Sequence, residues 1–176
     1  ITLPAPTEYG AGLVFLPRDP LRADKVRALI QTIIVDEGQR CLGWREVPTD
    51  SSLLGASARS VEPRIMQVFV GRGTAVRDHA HFERKLYVIR KLVEAAVMTL
   101  DEADRTFTYL PSLSSNTFIY KGMLSADQIE TMFPDLLDPD VESALALVHQ
   151  RFSTNTFPSW PLAHPYRYIA HNGEIN

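Results

Sequence analysis

The chain has 176 residues, of which 45% are hydrophobic and 22% charged, a composition typical of one folded globular domain. Its 18 basic and 21 acidic side chains give a net charge of −3, which argues against general binders of nucleic acid or anionic membranes. The single cysteine, Cys41, excludes an intrachain disulfide, disfavours a cysteine-based zinc site and fits a reducing cytoplasm. No apolar run approaches about 18 residues, so no transmembrane helix is predicted, and the first residues lack the pattern of a signal peptide.

The beginning of the sequence predicts a strand followed by a helix. Residues 9–17 form a short apolar run closed by a proline, which is typical of a buried strand. Asp19 and Pro20 then offer an N-cap and a first helical position, so a helix is expected over residues 21–37. Gly38 is expected to end that helix.

The next elements continue the alternation of strands and helices. Strands are predicted over residues 42–48 and 64–70, separated by a Ser- and Ala-rich loop, residues 49–63, that contains a short helical turn. A long helix is predicted over residues 78–99, because its apolar residues recur at helical spacing on one face. These residues are Phe82, Leu86, Ile89, Val93 and Val97.

Strands become more frequent in the rest of the sequence. Ser125 and Gln128 have the spacing of a capping box for a short helix that ends at Phe133. Strands are predicted over residues 106–111, 117–121, 141–151 and 166–171. The first half of the apolar segment 141–151 is also compatible with a helix. This order of elements predicts an α+β domain of layered sheets and helices with mixed strand pairing.

Residues 149–176 carry most of the candidate chemistry, because Asn, Thr, Ser and His are dense there. In an extended chain His149, Arg151 and Ser153 project to one side, and a guanidinium at a strand end suits bidentate binding of a carboxylate. Asn172 and Gly173 pair a side-chain amide with an open backbone N–H, two donors for one oxyanion. Ordinary alternatives exist, since Asn-Gly commonly forms a turn and an arginine at a strand end commonly forms a surface ion pair.

A resemblance to a known family is found in this same region. The segments HQRFSTNTFPSWPLAHP and AHNGEIN, residues 149–165 and 170–176, closely resemble the glutaminase domains of glutamate synthase large subunits. Weaker similarity extends upstream to residues 43–48, 86–91, 112–114 and 119–123. The resemblance implies a class II amidotransferase with the N-terminal-nucleophile hydrolase fold, a four-layer αββα arrangement with antiparallel sheets. Residues 1–176 would be an incomplete, internal part of that domain.

The resemblance also implies roles for the candidate site residues. Arg151 would bind the α-carboxylate of glutamine, and Asn172 and Gly173 would form the oxyanion hole for hydrolysis of the side-chain amide. The pocket would be lined by Phe152, Ser153 and Thr154. The histidines of this region have no carboxylate at a ligand spacing, so no metal site is predicted.

The implied parent enzyme releases ammonia from glutamine through a cysteinyl thioester and transfers it to 2-oxoglutarate, which forms glutamate. Its implied partners are glutamine, the remaining domains of the parent protein and a small subunit or ferredoxin, and not nucleic acid or a membrane. FMN and an iron–sulfur cluster are expected in other domains, with no cofactor in this segment. The electron donor, ferredoxin or a reduced nicotinamide, stays open.

One departure from the family concerns the nucleophile. The family uses a cysteine at the mature N-terminus, with its own α-amine as the base, whereas residue 1 of this chain is isoleucine. Cys41 is not a substitute, because no free amine adjoins it, and we expect it to pack as a small buried hydrophobe. A substrate-binding aspartate of the family lies beyond Asn176. The segment is therefore predicted to lack glutaminase activity on its own.

Two alternative functions remain open. The chain could be a non-catalytic module on the same scaffold that binds an amino acid or a partner, which the missing cysteine favours and Arg151 with Asn172-Gly173 disfavours. It could also belong to another class II amidotransferase, such as a purine or amino-sugar enzyme. The similarity over residues 153–165 and 121–123 favours glutamate synthase.

Overall fold

The computed structural model describes residues 1–152 and 154–169. These residues form two compact units, which are described separately. The first unit consists of residues 1–46 and 63–118, and the second of residues 47–62 and the described residues from 119 onward. No helix among the described residues is long and apolar enough to cross a membrane.

A three-stranded antiparallel sheet forms the centre of the first unit. Its strands are β1 (Tyr9–Leu16), β2 (Arg40–Glu46) and β3 (Arg64–Gly71), in the order β1-β3-β2. The register is continuous between β1 and β3, whereas β2 contains a bulge between Cys41 and Gly43. All three strands are confirmed, and β2 begins and ends two residues earlier than predicted. The predicted mixed pairing is wrong for this sheet, because both of its strand pairs are antiparallel.

Five helices are present in the described residues. They are α1 (Pro20–Asp36), α2 (Ala56–Ser60), α3 (His79–Val97), α4 (Glu102–Phe107) and α5 (Ile129–Met132). The start of α1 is as predicted, because the Asp19 carboxylate accepts a hydrogen bond from the Arg22 N–H at 2.9 Å and Pro20 occupies the first turn. Its end is also as predicted, since Gly38 has a φ of 74°, a left-handed conformation that favours glycine.

The core of the first unit lies between one face of the sheet and the helices α1 and α3. Alternate residues of the strands point to this face because side chains of a strand alternate between the two faces. They meet the apolar faces of the two helices, and the predicted apolar face of α3 is confirmed as buried. The cluster includes Val14, Leu16, Val26, Ile30, Ile34, Met66, Val68, Val70, Phe82, Leu86, Ile89, Val93 and Val97.

The predicted strand over residues 106–111 is wrong, because α4 continues to Phe107. Two carboxylates, Asp101 and Asp104, explain why α4 forms here instead of a strand. Asp101 accepts a hydrogen bond from the Asp104 N–H at 2.9 Å and so caps the helix. The Asp104 carboxylate is fully buried and pairs with Arg22 at 2.7 Å and with Lys25 at 3.2 Å, which fixes α4 beside α1.

The predicted strand over residues 117–121 is also wrong. The segment before it pairs with β1 through isolated bridges, from Tyr109 to Phe15 and from Ser114 to Ala11. The hydroxyl of Ser114 accepts hydrogen bonds from the backbone N–H groups of Asn116 and Thr117, at 3.0 and 3.2 Å. This local turn uses the donors that a strand would need for pairing.

The second unit is built from short helices and connecting segments. The predicted capping box is confirmed, because the Ser125 N–H donates to the Gln128 side-chain oxygen at 3.0 Å, before a 3₁₀ turn over Ala126–Gln128 and the helix α5. The Gln128 side chain also donates to the Leu53 carbonyl at 2.7 Å, which joins the two sequence segments of the unit. The predicted helical turn in the 49–63 loop is confirmed as α2.

Neither of the two strands predicted for the second unit forms in the described residues, and residues 170 and 171 of the second one lie outside them. Residues 141–151 adopt neither a strand nor a helix, and Val141, Leu145 and Val148 are exposed. Among the described residues no strand pairs with this segment, so its backbone has no partner for the hydrogen bonds of a sheet. Tyr166 and Ile169 close a turn instead of starting a strand, with the Ile169 N–H donating to the Tyr166 carbonyl at 3.0 Å.

Candidate functional site

The predicted carboxylate-binding residue, Arg151, lies on the surface of the second unit. Its side chain is exposed, and its backbone N–H donates to Nδ1 of His149 at 3.3 Å. His149 and Arg151 are therefore connected by this hydrogen bond, whereas the sequence predicted that they lie on the same side of a strand. Of the predicted pocket residues, Phe152 is half-buried and Thr154 is exposed.

Three predicted site residues lie outside the described residues. They are Ser153, which would line the pocket, and the oxyanion donors Asn172 and Gly173. The convergence of the Arg151 guanidinium with the two oxyanion donors therefore stays a prediction.

A cluster of aromatic rings lies next to Arg151. The rings of His149 and His164 stack with their centroids 4.4 Å apart, and the edge of Tyr166 meets His164 at 4.6 Å. His164 is buried and His149 is half-buried. The backbone on the N-terminal side of Arg151 is thus held by ring contacts to residues 164–166.

A buried lysine lies beneath the same cluster. Lys121 is only 2% exposed, and its Nζ donates to the Pro161 carbonyl at 2.7 Å. The same Nζ lies 4.4 Å from the centroid of the Tyr166 ring, a cation–π distance. Burial, together with the positive charge of Arg167, lowers the pKa of Lys121 from its usual 10.5 to about 7.

The residue after the lysine is fixed by a tryptophan. A Cβ atom at Gly122 would lie 2.5 Å from the Trp160 ring, so the close contact requires glycine. Trp160 is buried, and its Nε1 donates to the Ala58 carbonyl at 3.1 Å. These contacts hold the start of the segment that contains Pro161, His164 and Tyr166.

Residues 121–123 carry part of the family similarity, but Lys121 is not among the predicted site residues. A signal for it was nonetheless present. Lys121 follows the apolar residues Phe118, Ile119 and Tyr120 and precedes Gly122 and Met123. A lysine in such a run is unusual, because an ammonium is costly to bury without partners.

A separate cavity of about 350 Å³ lies in the first unit. It is lined by Pro6, Thr7, Tyr9, Ala11, Gln67, Phe69 and residues 114–118. The lining is made of aromatic, hydroxyl and amide groups. It contains no lysine, arginine, aspartate or glutamate, and none of the predicted site residues.

The 114–118 wall of this cavity is anchored to α3. The Glu83 carboxylate accepts hydrogen bonds from the Ser114 hydroxyl at 2.8 Å and from the Ser115 hydroxyl and N–H at 2.5 and 2.6 Å. Nε2 of His79 lies 2.7 Å from the same Ser115 hydroxyl. Because the Ser115 hydroxyl donates its hydrogen bond to Glu83, His79 can only donate to that hydroxyl and cannot act as its base. Ser115 is therefore not an activated nucleophile.

Cys41 is half-buried in β2 and packs against the core of the first unit. Burial raises the pKa of its thiol above the usual value. A thiol of this kind is a poor nucleophile at neutral pH, because the thiolate is the reactive form. This placement agrees with the expectation that Cys41 serves packing.

Comparisons with known proteins identify the family. The family described as "Glutamine amidotransferases class-II" matches residues 1–176. The chain is 46% identical over 176 residues to the "Glutamate synthase [NADPH] large chain" of Bacillus subtilis (strain 168), covering 100% of this chain and 11% of that protein. The protein of the same name from Azospirillum brasilense is 48% identical over 170 residues, 96% of this chain and 11% of that protein.

A plant relative has a similar degree of identity. The "Ferredoxin-dependent glutamate synthase 1, chloroplastic/mitochondrial" of Arabidopsis thaliana is 45% identical over 168 residues, 95% of this chain and 10% of that protein. The chain thus spans about a tenth of the length of the curated relatives it matches. Because the family match extends over every residue, the chain belongs to the class-II glutamine amidotransferases.

Proposed function

We propose that the chain is part of the glutaminase domain of a glutamate synthase, which releases ammonia from glutamine for transfer to 2-oxoglutarate. The observation that carries the proposal is the identity of 45–48% to glutamate synthases from bacteria and a plant over nearly all of this chain. Other class-II amidotransferases share the family match, but these three relatives are all glutamate synthases.

The reaction begins when a thiolate attacks the side-chain amide carbon of glutamine. The tetrahedral intermediate collapses and the C–N bond breaks as the leaving nitrogen takes up the proton that the thiol gave to its base, so ammonia leaves and a thioester remains. Water then attacks the thioester, which yields glutamate and restores the thiol. The thiol belongs to a residue other than Cys41, because that side chain packs in the first unit with a raised pKa.

In this scheme the residues of the chain bind and polarise the substrate. Arg151 binds the α-carboxylate of glutamine by a forked pair of hydrogen bonds, and Phe152, Ser153 and Thr154 line the pocket. The Asn172 amide and the Gly173 N–H stabilise the oxyanion of the intermediate. The exposed Arg151 side chain supports the first role, because its guanidinium is accessible to a ligand.

The four-layer αββα arrangement is proposed for the complete domain. It is supported by the burial of both faces of the sheet in the first unit. One face is covered by α1 and α3, and the opposite face carries Leu13, Phe15 and Ile65, which are also buried. A sheet that is apolar on both faces suits a position between two layers.

Cofactors and partners belong to the same proposal. An iron–sulfur cluster requires several cysteine thiolates, and Cys41 is the only cysteine of this chain, so we assign the cluster to other domains. FMN is assigned there as well, and the hydrolysis of glutamine proceeds without either group. We propose a cytoplasmic location, with the remaining domains and a small subunit or ferredoxin as partners.

A non-catalytic amino-acid-binding module is the second candidate. Besides the isoleucine at residue 1, the feature that favours it is the cavity of about 350 Å³ in the first unit. That cavity is poorly suited to an amino acid, because no lysine, arginine, aspartate or glutamate lines it to pair with the α-carboxylate or the α-ammonium group.

The proposed function is tested by ammonia release from glutamine. We expect the intact protein that contains this chain to release ammonia and glutamate in equal amounts, with inhibition by a thiol reagent. The 176-residue polypeptide alone is expected to release none, because its single thiol is Cys41. Intact protein that binds glutamine without hydrolysing it would instead support the non-catalytic module.

A further inference from the structure

The second unit buries the side chain of a lysine, Lys121. Lys121 is 2% exposed, and its Nζ contacts both the Pro161 carbonyl, at 2.7 Å, and the Tyr166 ring, at 4.4 Å. The Tyr166 hydroxyl lies 3.4 Å from that same carbonyl and donates to it. The Lys121 amine thus contacts both Pro161 and Tyr166, which are five residues apart in the sequence.

The other end of this segment is fixed independently of the lysine. Trp160 is buried, donates to the Ala58 carbonyl at 3.1 Å and covers Gly122. The segment Trp160–Tyr166 is therefore held at its start by the tryptophan and at Pro161 and Tyr166 by the ammonium group.

From Tyr166 a continuous set of contacts leads to Arg151. The edge of the Tyr166 ring meets His164 at 4.6 Å, and His164 stacks on His149 at 4.4 Å. Nδ1 of His149 accepts the hydrogen bond from the Arg151 backbone N–H at 3.3 Å. Each contact lies within the second unit.

We propose that Lys121 is a positioning residue for glutamine: through Pro161, Tyr166 and the His164–His149 stack it fixes the backbone that carries Arg151. The inference rests on the proposed function, in which Arg151 binds the α-carboxylate. Lys121 itself does not touch the substrate. It acts by restricting the positions that the guanidinium samples before glutamine binds.

This role predicts a particular change in kinetics. The α-carboxylate is bound in the ground state and in the transition state alike, so a less well positioned Arg151 weakens both equally. Uniform weakening raises KM and leaves kcat unchanged. A loss of the folded domain would instead reduce the concentration of active enzyme and leave KM unchanged.

The first test replaces the lysine in the intact protein. We expect Lys121→Met, which keeps the length of the side chain and removes the charge and the donors, to raise the KM for glutamine by about tenfold. The kcat for ammonia release should stay within about twofold. Lys91→Met is the matched control, because Lys91 is half exposed on α3 and should leave both constants unchanged.

A second pair of variants tests the contact through the ring. Tyr166→Phe keeps the aromatic face for Lys121 and His164, so the KM for glutamine should stay within about twofold. Tyr166→Leu removes that face and should raise KM by about tenfold. This pair decides the matter if Lys121→Met does not fold. Equal KM values for the two tyrosine variants would overturn the proposal.

A third measurement does not depend on activity. In Lys121→Met, amide hydrogen exchange of the peptide that contains residues 149–152 should accelerate by about tenfold, because its support is removed. Unchanged exchange there, or an unchanged KM in a folded Lys121→Met protein, would overturn the positioning role. If the wild-type protein releases no ammonia from glutamine, the proposed function fails, and the exchange experiment still decides whether Lys121 fixes this backbone.

Discussion

The two units of the chain differ in what determines their backbone. In the first unit, β1 and β3 carry apolar residues on both faces and those of α3 recur on one face, so regular elements pack into one core. In the second unit, the residues near Arg151 are held by side-chain contacts: a buried ammonium, stacked rings and a tryptophan over a glycine. We infer that the core of the first unit provides stability, and we propose that the side-chain contacts of the second unit position Arg151.

The largest expected effect tests the role of the first unit. Phe82 is fully buried in the core, so Phe82→Ala should cost about 3–5 kcal/mol of unfolding free energy through lost contacts and a cavity. The KM for glutamine of the protein that remains folded should not change. Tyr87→Ala on the exposed side of the same helix is the control and should cost about 1 kcal/mol or less, mainly through the lost contact of its ring with the Arg90 guanidinium. Urea unfolding and steady-state kinetics together measure both quantities, and a raised KM in Phe82→Ala would contradict the division of roles.

Asn172→Ala should have the next largest effect, and on catalysis instead of stability. If the Asn172 amide donates to the oxyanion, its removal should lower kcat by about 10²–10³-fold in the intact protein, with little change in KM. The measurement is ammonia release at saturating glutamine. Near-normal turnover in a folded Asn172→Ala protein would remove this residue from the oxyanion hole.

A pH dependence of stability should distinguish the second unit. The pKa of Lys121 is about 7 in the folded protein and about 10.5 in the unfolded chain. Between pH 7 and about pH 10.5 the unfolded chain binds more protons than the folded protein, so the free energy of unfolding rises with pH. Below pH 7 Lys121 is protonated in both states, and the folded protein bears the full cost of burying its charge. The difference in unfolding free energy between wild type and Lys121→Met should shift in favour of the wild type by about 2 kcal/mol between pH 7 and pH 9.

The comparison between wild type and Lys121→Met isolates this group from the other polar and charged side chains nearby. Tyr166, His164 and Arg167 lie on the segment packed against the lysine, and both proteins retain them. Urea unfolding at several pH values provides the measurement. A difference that stays constant from pH 7 to pH 9 would show that Lys121 is protonated at both values in the folded state.

The smallest expected effect concerns Cys41. Cys41→Ser should change kcat and KM by less than about twofold and stability by less than about 1 kcal/mol, since the residue is half-buried at the margin of the core. Ammonia release and its sensitivity to a thiol reagent should both persist. Loss of activity in a folded Cys41→Ser protein would contradict the proposal that the nucleophile is a residue other than Cys41.

The fold of the first unit could be predicted from the sequence because its signals are local. Asp19, Pro20 and Gly38 define the limits of α1, and the spacing from Phe82 to Val97 defines the buried face of α3. The strand predicted over residues 106–111 failed where a nonlocal contact decides the outcome, because Asp104 pairs with Arg22 and Lys25, about 80 residues earlier in the chain.

The candidate site was less predictable for the same physical reason. Family similarity identified Arg151, but the contacts that hold it involve Lys121 and Tyr166, which are 45 residues apart in the sequence and meet through a ring face. The apolar residues from Val141 to Val148 have the pattern of a buried strand, yet an apolar pattern alone does not specify the strand with which it pairs.

The most direct test of the account is the glutamine KM of Arg151→Lys in the intact protein. A lysine keeps the positive charge and loses the forked pair of donors, so we expect KM to rise by about tenfold or more with kcat within about twofold. An unchanged KM for glutamine in a folded Arg151→Lys protein would show that Arg151 does not bind the α-carboxylate and would contradict the central claim.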